Sequence, residues 1–197
     1  MLWEVITAPD HRLRLTASPV IDLTNIGSLV DRMRAIMHAS SGIGLAATQI
    51  GAGSCVIVVN VPDTGSGDIR AFGSFEMINP TIISRLGTTT ALEGCLSIPG
   101  ILDAVERSSI IDVSFMDVFG GHKTITASGL LSACIQHEID HLDGVLFIDR
   151  LSRLKKDIAL TKMKRLKRLV QGDELVATRS SRMTTPTMSR SLSSGTA

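Results

Sequence analysis

An α+β domain is the fold class this sequence predicts, and three observations predict it. Apolar residues recur at helical spacing near the N-terminus and again over the C-terminal third. β-Branched runs and a Gly-Gly turn fill the middle. Strands and helices do not alternate as a parallel α/β sheet requires. The expected arrangement is mixed or antiparallel sheets around a central helix that carries an HExxH motif, flanked by an N-terminal helix and a basic C-terminal helix. The 197 residues suffice for one domain of ordinary size. We assign residues 1–171 to it and 172–197 to a Ser/Thr-rich tail.

Residues 1–23 form an extended lead-in with a turn at Ala8-Pro9-Asp10. Leu29, Val30, Met33, Ile36 and Met37 place a helix over 24–39, which Ser40-Ser41-Gly42 stops. The glycine-rich segment 42–49 follows, then a buried strand from Cys55 to Asn60 and a loop over 61–74. Strands are expected over 75–86, 105–119 and 122–127, the last two joined at Gly120-Gly121. Ser128 is placed to cap a helix from Gly129 to about Leu142, and a second helix spans about Leu151 to Val170. Few large apolar groups occur in 178–197, which predicts disorder there.

The core must use Ile, Leu, Val, Met and Ala, because aromatics make up 3% and Tyr is absent. A net charge of +1 gives no argument for DNA binding. Three unevenly spaced cysteines, Cys55, Cys95 and Cys134, argue against a disulfide framework and for a reducing compartment. The N-terminus has no apolar stretch of secretory type, and no run approaches the roughly 20 apolar residues of a membrane span. The expected location is the cytoplasm, with no membrane partner.

The strongest chemical signal is His137-Glu138-Ile139-Asp140-His141. Imidazoles at i and i+4 share one helix face, about 5–6 Å apart at Cβ, and can chelate one ion. Glu138, beside the first imidazole, can reach a water that the ion activates. A bare HExxH also arises by chance, so the third ligand decides. In the long metalloprotease signature, that ligand would stand where this chain has Phe147, which cannot ligate. Cys95, in Glu93-Gly94-Cys95-Leu96-Ser97, is the best candidate. One thiolate and two imidazoles leave a fourth position for water, the pattern of a catalytic site. Cys55 and Cys134 lie in apolar runs and suit small buried hydrophobes. His11, His38 and His122 have no partner at ligand spacing.

Together, Gly42-Ile43-Gly44-Leu45-Ala46-Ala47-Thr48-Gln49, Glu93-Gly94-Cys95-Leu96-Ser97 and Gln136-His137-Glu138-Ile139-Asp140-His141 resemble the three motifs of the peptide deformylases, in the same order and at similar spacing. The resemblance runs from about residue 3 to about 170. It implies a metal-dependent amide hydrolase that removes the formyl group from the N-terminal formyl-methionine of new proteins, releasing formate. It implies one divalent ion on Cys95, His137 and His141: Fe2+ as the usual metal, with Zn2+, Ni2+ or Co2+ as substitutes. The donor set alone suits several divalent metals. Glu138 is then the general base, with the Gln49 amide and the Leu96 N–H as oxyanion donors. Gly44 contacts the substrate backbone, and Ile43, Leu130, Ala133 and Cys134 line the methionine pocket beside His137.

The chain departs from a common pattern after Pro99. Some members hold the peptide backbone with an arginine there, whereas this chain has Gly100-Ile101-Leu102-Asp103. Between 150 and 170 stand nine basic residues: Arg150, Arg153, Lys155, Lys156, Lys162, Lys164, Arg165, Lys167 and Arg168. Leu151, Leu154, Ile158, Met163, Leu166 and Val170 are the expected docking stripe. By resemblance this helix docks on the ribosome. Two other readings of the chain are a metallopeptidase cutting internal bonds and a ribosome binder without catalysis. The first lacks its third histidine, and the second does not explain why Glu138 and Gln49 are both present.

Overall fold

The computed structural model describes residues 4–166. Among these, helix α1 spans Ile26–Ala39 and α2 spans Gly129–Leu142. A third helix, α3, starts at 153 and reaches 166, the last described residue. The strands are β1 (Gly44–Ala46), β2 (Val56–Val61), β3 (Gly73–Leu86), β4 (Thr89–Cys95), β5 (Ile98–Arg107), β6 (Ile110–Met116) and β7 (His122–Ser128). They form a five-stranded sheet in the order β1-β2-β3-β6-β7 and a separate β4-β5 hairpin, with antiparallel pairing throughout. The fold is α+β, as expected.

The Val56–Val61 run is apolar without alternation because both its faces are covered. Ile57, Val59 and Val61 point to α2 and pack with Leu131, Ile135 and Leu142. Val56 and Val58 point the other way and meet Val30, Met33 and Met37 of α1. A third cluster lies under the β4-β5 hairpin, where Ile98, Ile101 and Val105 meet Leu13, Phe147, Ile148 and Ala159. Buried α2 thus runs between the large sheet and the hairpin, and the two sheets present residues to it from opposite sides.

Several expectations are corrected. The strand expected over 105–119 is two strands: β5 ends at Arg107, and the chain crosses to the large sheet at Ser108-Ser109 before β6. The crossing is held by Gln136, which accepts from the Ser108 N–H and donates to the Ser108 carbonyl, each at 3.0 Å. Strand β4 and the first part of β5 were not among the expected strands. Ser128 occupies the N-cap position of α2, but its hydroxyl donates to Asp68 Oδ2 at 2.7 Å instead of capping the helix. The C-terminal helix begins two residues later than expected, after a 3-10 turn at Phe147–Arg150. On it, Ala159, Leu160 and Met163 face the core while Leu154 and Ile158 of the expected stripe stand exposed. Val170, Lys167, Arg168 and the tail 172–197 lie outside the described residues.

Candidate active site

His137 and His141 are one turn apart on α2, both buried, with ring centroids 5.0 Å apart. Cys95 closes β4, and its Sγ lies 3.1 Å from His141 Nε2. The ligand atoms of Cys95, His137 and His141 lie within 4.8 Å of one another. The structure therefore brings together the cysteine and the two histidines that the sequence singled out. Phe147 is buried against them, its ring stacked 6.1 Å from that of His137.

A charged network fixes this cluster from behind. Glu93, two residues before Cys95 on the same strand, accepts from His137 Nδ1 at 2.8 Å, which aims the opposite ring nitrogen at the cluster. Arg107 on β5 grips both oxygens of Glu93, at 2.6 and 2.9 Å, and donates to Asp140 Oδ2 at 2.6 Å. Arg150 makes a bidentate pair with Asp140 from outside. Burial raises the Glu93 carboxyl, but hydrogen bonds from Arg107 and His137 outweigh this and bring it down to about 2. Glu93 therefore stays charged. Sequence reasoning missed the roles of Glu93, Arg107, Asp140 and Arg150.

The donor set fits a divalent metal ion. Burial opposes charge on His137, yet the Cys95 sulfur and Glu93 carboxylate favour it enough to hold its pKa well above the usual value. Burial, reinforced by His137, pushes His141 well below its own. His141 Nδ1 is buried with no hydrogen-bond partner among the described residues, and one sulfur and two imidazoles offer ligand atoms within 4.8 Å of one another, a donor set that suits several divalent cations.

Glu138 projects into the same space from α2. It is buried, and its Oε2 has no hydrogen-bond partner among the described residues. Burial lifts its pKa to about 7; His137 pulls the value down and Glu93 pushes it up. A Cβ on Gly44 would overlap Glu138 Oε1 and stand 2.8 Å from Cys134 Sγ. Gln49 accepts from the Ala46 N–H at 2.8 Å, and its Nε2 donates to Ser97 Oγ at 3.1 Å. That nitrogen is also 3.6 Å from Cys95 Sγ. Leu96 sits in the turn joining β4 to β5, between Cys95 and buried Ser97.

These groups open into a cleft of about 660 Å³. Ile43 and Leu130 stand at its mouth, partly exposed, and Ala133 and Cys134 line it deeper. Burial raises the Cys134 thiol well above its ordinary pKa, so it behaves as an apolar wall. His11, His38 and His122 are exposed and take no part.

Residues 2–157 match the family model described as polypeptide deformylase. The chain belongs to the polypeptide deformylase family. Its peptide deformylase relative from Neisseria gonorrhoeae is 42% identical over 165 residues, covering 83% of this chain and 95% of that protein. The crystal structure of the peptide deformylase from Ehrlichia chaffeensis superposes with a TM-score of 0.81 at 38% identity, covering 87% of this chain and 99% of that one. A second structure of the Ehrlichia chaffeensis enzyme, in complex with actinonin, gives 0.79 at 40% identity, covering 85% of this chain and 98% of that one. Membership makes the chain a hydrolase of a metal-dependent family whose reaction is removal of the formyl group from N-terminal formyl-methionine.

Proposed function

We propose that this deformylase hydrolyses the formyl amide of formyl-methionyl peptides with Cys95, His137 and His141 holding ferrous iron and Glu138 moving the proton. The observation that carries this reading is the 3.1 Å approach of Cys95 Sγ to His141 Nε2 in the cleft that Glu138 enters. When bound, a divalent ion lowers the pKa of water towards about 7 and polarises the formyl oxygen. Glu138 takes a proton from the attacking water and returns it to the departing amine. Water is added across the C–N bond, formate and a free N-terminus leave, and Glu138 ends as it began. A carboxyl poised near neutrality suits both transfers, and a nearby cation favours its charged form.

The Gln49 Nε2 and the Leu96 N–H are assigned to the developing oxyanion. One such donor contributes about 3–4 kcal/mol elsewhere. Gln49 is held for this by its bond to the Ala46 N–H. Gly44 admits the substrate backbone, and Ile43, Leu130, Ala133, Cys134 and the His137 edge receive the methionine, whose flexible thioether an apolar slot accepts. Iron, rather than zinc, nickel or cobalt, follows from the family resemblance. Metal analysis of anaerobically purified protein beside formate release from formyl-Met-Ala-Ser tests the assignment. Activity should track iron, and a metal-loaded enzyme that releases no formate would overturn it.

We assign the protein to the cytoplasm, with residues 1–171 as its domain. No helix among the described residues is long and apolar enough to cross a membrane. Three of the basic residues from 150 on are already paired within the domain: Arg150 with Asp140, Lys155 with Asp103 and Lys156 with Asp149. Among the described residues this leaves, besides Lys162 at the cleft wall, exposed Arg153, Lys164 and Arg165 for the ribosome contact. Salt-dependent co-sedimentation with ribosomes should weaken on reversing these three charges.

A further inference from the structure

One cation lines the cleft without belonging to its charged network. Lys162 of α3 is exposed and contributes to the cleft wall. It makes no hydrogen bond or ion pair among the described residues, whereas Lys155 and Lys156 on the same helix are paired. Arg107, the buried cation nearest the metal ligands, is saturated by Glu93 and Asp140. Lys162 therefore supplies positive charge free to meet a ligand.

Helix α3 is held where it can do this. Lys155 Nζ bonds Asp103 Oδ1 at 2.6 Å, and Lys156 Nζ bonds Asp149 Oδ1 at 2.6 Å. Ala159, Leu160 and Met163 pack into the cluster that includes Ile101 and Val105 of β5. Further along, Leu166 Cδ1 comes within 2.9 Å of where a Cβ on Gly100 would be, and Gly100 itself has φ +75°. A side chain at position 100 would be strained by that backbone conformation, and the Leu166 methyl would have to turn aside. The segment Gly100-Ile101-Leu102, which lacks arginine, is thus the segment along which α3 delivers a lysine.

Resting on the deformylase reading, we infer that Lys162 binds a carboxylate on the substrate downstream of the formyl-methionine, making the enzyme prefer acidic nascent N-termini. The methionine is assigned to the wall made by α2. Lys162 belongs to the wall made by the β4-β5 hairpin and α3, so a residue beyond the methionine meets it. The ammonium is a mobile point charge that accommodates more than one carboxylate position.

The test compares kcat/KM on three peptides at low salt: formyl-Met-Ala-Ala amide, formyl-Met-Ala-Glu amide and formyl-Met-Ala-Ala free acid. An exposed pair of this kind is expected to favour the glutamyl peptide about two- to five-fold over the neutral one, through KM rather than kcat. Preference for the free acid alone would assign the contact to a terminal carboxylate, which nascent chains do not offer, and would overturn the inference. The glutamyl-to-neutral ratio should fall to about one in Lys162→Met, invert in Lys162→Glu, be restored in Lys162→Arg and shrink with added salt. A ratio of one in the parent enzyme, or a ratio unmoved by Lys162→Glu, overturns it too. Absence of turnover on all three peptides instead overturns the deformylase reading beneath it.

Discussion

Gly44 sets how closely the β1 backbone approaches the proton-transfer group. A methyl group at this position has no free volume, since it would overlap Glu138 Oε1 and crowd Cys134 Sγ. Gly44→Ala must displace the Glu138 side chain, and misplacing a reacting group by about 1 Å costs on the order of 100-fold in rate. The expected outcome is a loss of that order in kcat/KM with a melting temperature close to the parent's, because the strain falls on one side chain at a cleft wall. Glu138→Gln separates the carboxylate from its packing. It should lower kcat by about 10²–10⁴-fold while metal content stays at one ion per chain, by formate release and metal analysis on the same sample. Persistent turnover would remove Glu138 as the base.

At the scale of elements, the hairpin β4-β5 and helix α2 are joined by Arg107, buried with only 2% of its side chain exposed. Replacing it by leucine leaves Glu93 and Asp140 as buried carboxylates without their shared cation. Breaking such a pair costs about 3–5 kcal/mol. Arg107→Leu should lose stability in that range by urea denaturation and bind metal more weakly, since Glu93 would no longer be held against His137 Nδ1. Asp140 keeps Arg150 as a partner, which places the cost mostly at Glu93. None of this network was legible in the sequence. A histidine pair at i and i+4 is a local signal and a cysteine between glycines is nearly one, so the three donors could be named. An arginine inside a strand shows nothing of partners 14 and 33 residues away. Likewise α2 was expected from Gly129 to about Leu142, starting after Ser128, and spans Gly129–Leu142, whereas β4, which contains Gly94 and is followed by Pro99, was not among the expected strands. Only the pairing Gly94↔Leu102 and the irregularity before Cys95↔Ile98 show that the ladder tolerates them.

For the molecule as a whole, Asp149 ties both ends of the described chain to the core. Its carboxylate pairs with Arg14 near the start and with Lys156 on α3, and it accepts from the Leu146 N–H at 2.9 Å. Partial burial raises its pKa, but the bonds from Arg14 and Lys156 prevail and lower it to about 2. An unfolded aspartate titrates near 3.9. The native state therefore binds its proton only at lower pH, so the contribution to stability is complete above about pH 4 and is lost as pH falls through about 2. Both cationic partners are partly solvated, with 44% and 36% of their side chains exposed, which screens the interaction and limits its worth to on the order of 1 kcal/mol. Asp149→Asn should accordingly be less stable than the parent by about that amount at pH 7, and the two urea midpoints should converge as the pH is lowered from 4 towards 2. Arg14 and α3 each lose one tether in the variant while keeping others, Arg14 to the Gly144 carbonyl and α3 through Lys155 and its packed face, so limited proteolysis at pH 7 should become faster first near those two segments. A stability gap that stays constant down to pH 2.5 would show that the charge of Asp149 is not what holds the ends of the domain together.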